Sequence, residues 1–253
     1  MLILCQSRPQ VRLIVAAVAS ALLGAGCGKG KAAKDEEPFS LAEARVQVFP
    51  EKGPGFDRTF PIDSPEKIGD LAALDLPELD HVTGRMVVSF SFEVEGIRTP
   101  GMRMETSLVD GLVHGQGRNY GFFKGRWCLL GELNYEHGVK QGPFVVYHPA
   151  TGAKAGEGTL VNGRREGGAT WYNLNGDIIA RTHYADGVLD GLSEVYNPAG
   201  EVIASGTYEH GALVSGTFVD DLDAYLLANI ENRAVEPTIV TVPARTTDDT
   251  LTP

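Results

Sequence analysis

The chain has 253 residues, 43% of them hydrophobic, and its 22 basic and 33 acidic side chains give a net charge of −11 at pH 7. This acidic balance argues against a nucleic-acid-binding protein, because such proteins neutralise phosphates with clustered lysines and arginines. The 31 glycines are assigned to turns rather than to a disordered chain.

Residues 1–26 are predicted to be an export signal. Two arginines give the segment a positive start, and the apolar run at residues 13–23 suits a signal peptide and is short for a membrane-spanning helix. Small residues then precede Cys27, an ending that resembles the lipobox of bacterial lipoproteins. The resemblance implies cleavage before Cys27, a diacylglycerol group on its thiol and, because Gly28 follows, sorting to the outer membrane. Ordinary secretory cleavage near the same place is the alternative.

Residues 27–40 are small and charged, which predicts a flexible tether. Acylation of Cys27 would leave Cys128 without a disulfide partner, and the apolar run around Cys128 favours a buried thiol. The expected location is the bacterial cell envelope, where acyl chains hold the protein on the membrane and it faces the periplasm or the exterior.

Residues 41–105 are predicted to be a small β-rich region. Val88, Phe90 and further apolar residues alternate there with polar ones, which is the period-two pattern of a half-buried strand. This strand is expected to pair with residues 102–108 across a turn at residues 100–101. The region is either a separate domain or an extension of the sheet that follows it.

Residues 106–218 repeat one pattern with a period of about 24. Four-residue units end in glycines that lie 27, 25, 24 and 24 residues apart (138−111, 163−138, 187−163 and 211−187): Gly111, Gly138, Gly163, Gly187 and Gly211. The preceding residue is always Asp, Asn or His, which tolerate positive φ, so each unit predicts a two-residue hairpin turn. The segments between turns have strand length, and stacking them predicts an all-β fold, an elongated antiparallel sheet of β-hairpin repeats.

These repeats resemble the MORN-variant repeat, in the form found in bacterial proteins labelled YwqK-like antitoxins. The matching points are an aromatic residue three places before the turn glycine, a second glycine, a tyrosine and a further turn glycine, as in Tyr135–Gly152 and Tyr184–Gly200. The matching segments cover less than half of the chain. The resemblance implies an elongated β-sheet used for protein or membrane contact, and it implies no reaction.

Residues 219–253 are predicted to be a capping helix and a disordered tail. Acidic residues followed by apolar ones at positions 222, 225, 226 and 230 fit a short amphipathic helix. The helix is expected to cover the end of the sheet, with a partner-binding helix as the alternative. From Val235 onward threonine and proline dominate, which predicts disorder.

The sequence favours no catalytic, cofactor or metal site. His137 and His210 occupy the same turn position as Asn162 and Asp186, so backbone geometry accounts for them. A nucleophile elbow, a phosphate-binding loop and metal-ligand spacing are all missing from the sequence. We therefore predict a protein that is not an enzyme and needs no cofactor.

Four tyrosines at one shared position of the repeat are the candidate partner-binding residues: Tyr120, Tyr147, Tyr172 and Tyr196. Because side chains alternate along a strand, the tyrosines are expected to form a row on one face, with Val146, Trp171 and Val195 on the other. Both rows are interpreted as apolar. The tyrosines either pack across strands to hold the sheet together or recognise a protein or a glycan.

The leading hypothesis is a non-enzymatic, lipid-anchored envelope protein whose sheet is a scaffold or binds an unidentified partner protein. One alternative is an antitoxin or immunity-type binder of a toxin. The other is an envelope enzyme that acts on glycans. The fold alone does not separate these functions.

Overall fold

The computed structural model describes residues 40–61, 76–94, 97–123, 125–230 and 236–243. These residues form one open antiparallel sheet of 15 strands and a short helix near the C-terminus, which confirms the predicted all-β fold of stacked hairpins. The predicted signal peptide, the lipidation site Cys27 and the tether up to residue 39 lie outside the described part of the chain.

The strands follow the chain order through the sheet, except at its N-terminal end. The elements are β1 (Ser40–Pro50), β2 (Phe56–Pro61), a 3-10 turn (Pro77–Leu79), β3 (Gly84–Val94), β4 (Ile97–Val109), β5 (Leu112–Phe123), β6 (Arg126–Glu136), β7 (Val139–Tyr147), β8 (Lys154–Val161), β9 (Arg164–Tyr172), β10 (Ile178–Ala185), β11 (Val188–Leu189), β12 (Gly191–Tyr196), β13 (Val202–Glu209), β14 (Ala212–Val219), helix α1 (Leu222–Ile230) and β15 (Ile239–Val242). Neighbours pair in the order β2-β1-β3-β4-β5-β6-β7-β8-β9-β10-β12-β13-β14-β15, and β11 pairs with β10. The predicted limit between the N-terminal region and the repeats, at residues 105 and 106, falls inside β4.

The N-terminal hairpin closes earlier than the sequence suggests. β3 pairs with β4 as expected, but Val94 lies opposite Ile97, so the predicted turn at Pro100 is wrong. Pro100 lies within β4 opposite Ser91, beside an irregularity of the register. A strand tolerates proline at such a bulge because the ladder hydrogen bonds are already interrupted there.

One face of the sheet carries a continuous buried row. Strand pairing aligns one buried residue per strand: Val46, Val88, Met104, Asn119, Gly131, Val146, Gly156, Trp171, Ala180, Val195 and Ala204. Successive side chains of a strand point to opposite faces, so the residues between these point away from the core. The apolar core of the described residues therefore lies on this face, and the opposite face is the exposed one.

Glycines on the buried face make room for aromatic rings of the next strand. A Cβ atom added to Gly156 would lie 2.4 Å from Cε3 of Trp171, and one added to Gly158 would lie 2.9 Å from Cε1 of Phe144. Both rings are almost completely buried. A large ring over a glycine fills the face without leaving a void. The assignment of the glycines to turns is therefore incomplete.

Helix α1 packs on the buried face, whereas the predicted position was the end of the sheet. Its last carbonyl oxygen, that of Ile230, lies 3.2 Å from Nδ1 of the fully buried His148, just after β7. Near its other end, Asp223 lies 3.5 Å from the guanidinium of Arg165 on β9. The apolar side chains of the helix need an apolar surface to leave water, and this face supplies one.

Residues 239–242 form β15, although the predicted disordered tail includes them. Ile239 lies opposite Val219 and Val240 lies opposite Phe218 on β14. All four residues of β15 are β-branched, which favours a strand locally even where the surrounding segment is rich in threonine and proline. Val235 and residues 244–253 lie outside the described part.

Candidate functional site

The predicted hairpin turns lie along one side of the sheet and have type I′ geometry. In each turn both central residues have positive φ, which this turn type requires. The first has φ between 47° and 53° and the following glycine between 80° and 89°: Asp110–Gly111, His137–Gly138, Asn162–Gly163, Asp186–Gly187 and His210–Gly211. The His, Asn and Asp residues thus share a backbone role.

Each turn is hydrogen-bonded to the turn of the repeat before it. The glycine N–H donates over 2.8–3.0 Å to the carbonyl oxygen two residues beyond the previous turn glycine: Gly138 to Val113, Gly163 to Lys140, Gly187 to Arg165 and Gly211 to Leu189. These bonds join consecutive repeats along one side of the sheet.

A side chain of the previous repeat accepts a second bond, from the N–H of the residue before each turn glycine. The pairs are Asp110 to Thr83, His137 to His114, Asn162 to Gln141, Asp186 to Glu166 and His210 to Asp190. We term these five side chains the turn acceptors. The sequence analysis missed them, although all except Thr83 stand directly before the second glycine of the repeat pattern.

Replacing Gln141 with methionine is expected to lower the free energy of unfolding by about 0.5–1.5 kcal/mol, the usual range for a lost hydrogen bond. Gln141 Oε1 accepts from Asn162 N–H at 2.9 Å, and methionine keeps the length of the side chain without this acceptor. Urea denaturation followed by circular dichroism measures the loss. Gln116→Met, which changes an exposed side chain that bonds Glu132 at 3.2 Å and no turn, is the matched control and should lose less. Equal losses would contradict a special role for the turn acceptors.

The four candidate tyrosines lie on the exposed face, and each is partly accessible. Three of their hydroxyls donate to carboxylates, Tyr147 to Glu132 at 2.8 Å, Tyr172 to Glu157 at 2.6 Å and Tyr196 to Glu194 at 2.6 Å. Tyr120 lies beside Arg103, whose guanidinium is 5.3 Å from the ring centre. We term these four residues the tyrosine row. Its rings are held in place by their neighbours.

A row of charged residues runs beside the tyrosine row, so this part of the exposed face carries charged side chains that the expectation of a second apolar row did not include. We term these residues the ionic row. Strand pairing aligns its six members across the sheet, with the uncharged Val145 between the third and fourth and the uncharged Thr170 between the fourth and fifth: Glu105, Arg118, Glu132, Glu157, Arg181 and Glu194. Arg118 Nε lies 3.0 Å from Glu132. Carboxylates and cations therefore lie next to one another along the face.

Hydrogen bonding on the exposed face shifts the pKa of both partners. Burial and the bond to Glu132 raise the pKa of Tyr147 to about 12, and the bond to Glu157 with burial raises the pKa of Tyr172 to about 12. Burial by itself would raise the pKa of Glu132, but the bonds from Arg118 and Tyr147 outweigh it and lower that pKa.

Stability is expected to fall between pH 10 and about 12. A tyrosine whose folded pKa lies above its unfolded value of about 10 contributes stability that is fully present below pH 10 and is lost as the pH rises through the folded pKa. The folded pKa values of about 12 for Tyr147 and Tyr172 place this loss between pH 10 and about 12. Urea midpoints measured across this range should fall less steeply for Tyr147→Phe/Tyr172→Phe than for the unmodified chain. If the urea midpoints of the two proteins fell in parallel, the hydroxyls of Tyr147 and Tyr172 would have the same pKa in the folded and unfolded states.

The structure also exposes a set of aliphatic side chains that the sequence analysis did not select. They lie on the exposed face beside the type I′ turns, one for each of four successive hairpins, and are 37–47% exposed: Leu112, Val139, Val161 and Val188. We term them the aliphatic rim. Leu112, Val139 and Val188 directly follow their turn glycines, whereas Val161 lies before its turn, opposite Arg164. Single exposed aliphatic residues are common, but a set that recurs beside successive turns along one edge of a face is typical of a contact surface.

Metal and membrane features are not apparent in the described residues. Within the described ranges, no group of three or more His, Cys, Asp or Glu side chains is arranged to hold a metal ion. No helix of the described part has the length and apolar character needed to cross a membrane. The thiol of Cys128 is half-buried and free.

No protein-family model matches the chain, and a search of curated proteins finds no match.

Proposed function

We propose that the protein is a non-enzymatic, lipid-anchored protein of the bacterial envelope whose repeat sheet binds a partner protein. The aliphatic rim is the observation that carries this proposal. Covering apolar surface gains about 25 cal/mol per Å², so four part-exposed aliphatic side chains beside successive turns favour the binding of a partner there. A partner that follows the rim contacts several repeats at once, as is usual for repeat proteins.

We further assign the repeats to the MORN-variant type. The period of about 24 residues and the repeated glycine and tyrosine positions support the assignment. That type implies contact with proteins or membranes rather than catalysis. The two acyl chains of a diacylglycerol on Cys27 would hold the chain on the outer membrane.

The anchor is tested by metabolic labelling with an alkyne fatty acid and by fractionation. The unmodified chain is expected to be labelled and to remain with the envelope until detergent is added. Cys27→Ser removes the acylated thiol and is expected to be unlabelled. An unmodified chain that fractionates as soluble, or equal labelling of both, contradicts the anchor.

The protein contact is tested by placing a photo-crosslinking amino acid at Val139 or at Val188 in cells. Both positions are expected to give an adduct with the same protein. Asn175 is the matched control, because it is also exposed but lies in a turn at the opposite ends of the strands. Adduct formation at Val139 should also fall when Leu112→Ser is introduced in the same chain. No adduct from either rim position, or an identical adduct from Asn175, contradicts the proposal.

A further inference from the structure

The tyrosine row presents one aromatic unit in each of three successive repeats. In each unit a tyrosine hydroxyl is bound to a glutamate carboxylate over 2.6–2.8 Å, so the ring is fixed on the exposed face: Tyr147, Tyr172 and Tyr196. Because the hydroxyl already donates within the protein, each ring offers a ligand its aromatic surface. A ring that is fixed before binding loses little conformational entropy when a ligand arrives.

The three units are evenly spaced along the sheet. Tyr147 on β7 and Tyr172 on β9 are separated by one strand, and so are Tyr172 and Tyr196 on β12. Two strand spacings amount to about 9.5 Å. A β-1,4-linked hexose chain advances by nearly this distance every two rings, after which the same ring face recurs. Successive tyrosines can therefore meet the same face of alternate sugar rings.

Glutamates beside the row are paired with cations. Arg118 Nε lies 3.0 Å from Glu132, Lys154 Nζ lies 2.8 Å from Glu157, and Arg103 pairs with Glu105. A surface with paired charges gives a polyanion or a polycation little long-range attraction. Its closely spaced donors and acceptors instead suit a neutral ligand that carries many hydroxyl or amide groups.

We propose that the tyrosine row is a binding site for a linear, neutral β-1,4-linked glycan of hexose or N-acetylhexosamine units. The C–H faces of alternate sugar rings stack on Tyr147 and Tyr172, and their hydroxyl or acetamide groups bond to the ionic row. Tyr120 on β5 and Tyr196 on β12 lie on either side of these two residues and form the ends of the site, and both rings lie beside guanidinium groups. This site goes beyond the proposed protein contact, which uses the aliphatic rim, and the two can fail separately.

The test is a calorimetric titration of the full chain with chitohexaose and with cellohexaose. Saturable binding of at least one hexasaccharide is expected, about tenfold or more tighter than that of the matching disaccharide, which is long enough to stack on only one tyrosine of the row. Tyr147→Ala/Tyr172→Ala should weaken the binding about tenfold or more. Tyr147→Phe/Tyr172→Phe keeps the rings and should remain within about threefold of the unmodified chain. Maltohexaose, which has α-1,4 linkages, should not bind.

Two controls keep the outcomes distinct. Circular dichroism and the unfolding midpoint must show that the alanine variant is folded, and Leu112→Ser/Val139→Ser on the aliphatic rim must leave glycan affinity unchanged. Absence of saturable binding by both hexasaccharides overturns the inference, as does unchanged affinity in the folded alanine variant. If no glycan binds and the alanine variant loses the crosslinked adduct at Val139, the tyrosine row belongs to the protein contact. In that case the glycan site is wrong and the proposed function stands.

Discussion

Replacing Trp171 with alanine is expected to lower the free energy of unfolding by about 3–5 kcal/mol, the range measured for buried tryptophan and phenylalanine side chains. The Trp171 side chain is 1% exposed and lies in the middle of the buried row. Its Nε1–H donates to Thr182 Oγ1 at 3.2 Å, so the substitution also leaves a buried hydroxyl without this donor. The hydrogen-bonded ladders on both sides of β9 keep the neighbouring strands from closing the cavity.

Urea denaturation followed by far-ultraviolet circular dichroism measures the effect of Trp171→Ala. Trp127→Ala is the matched control, because Trp127 is only partly buried and packs edge-to-face on Phe122, with ring centres 5.3 Å apart. Less apolar surface is lost there, so the control should lose less than half as much stability. Comparable losses would place the main core elsewhere in the molecule.

Gly156→Ala is the second substitution with a large expected effect, a loss of about 1–3 kcal/mol from overpacking. The new methyl carbon would lie 2.4 Å from Cε3 of Trp171. The ring is enclosed by the sheet and cannot move aside without disturbing the row. Chemical denaturation of Gly156→Ala should show this loss, whereas Ala153→Gly, at a part-exposed turn, should change stability little.

The two substitutions are expected to compensate each other. In the Trp171→Ala background the space over Gly156 is empty, so Gly156→Ala should be neutral or stabilising. The coupling free energy of the double-mutant cycle is then favourable by about 0.5–3 kcal/mol. If the effects of the two substitutions were simply additive, a methyl group at position 156 and the Trp171 ring would not compete for the same space.

Local rules were enough to predict the repeated hairpins. An Asp, Asn or His followed by glycine fixes a type I′ turn, and the five predicted turns have this geometry because the requirement is met by two adjacent residues. The alternation of Tyr172 with Trp171 likewise follows from the pleat of one strand. Fold class and the face that carries the tyrosines could therefore be read from short stretches of sequence.

Features that depend on distant residues were predicted less well. Whether Tyr147 bonds Glu132 depends on the register between two strands, which the repeat pattern alone does not give. The place of α1 depends on where His148 and Ile230 meet across 82 residues. β15 depends on a free edge at β14. The aliphatic rim was not predicted, because its residues lie close to the turn glycines, which dominate the repeat pattern of the sequence.

The turn acceptors occupy a position that the sequence pattern did contain. An acceptor side chain lies three residues after the turn glycine in the regular copies and directly before the second glycine. In the last copy the second glycine comes one residue late, so Val214 lies three residues after Gly211 and Ser215 precedes Gly216. This irregular copy is the one after which the hairpin repeat ends and α1 begins.

The strand order has a mechanical consequence. The chain enters the described sheet at β1, close to one edge, and its last described strand, β15, forms the opposite edge. If the N-terminus is anchored as proposed, a pull between that anchor and a load on the distant repeats acts across the strands, along the direction of their hydrogen bonds. Ladders loaded in this way peel apart one after another instead of shearing together, and each released repeat frees roughly 80 Å of chain. Under tension the molecule would lengthen in steps, so it would be extensible and not rigid.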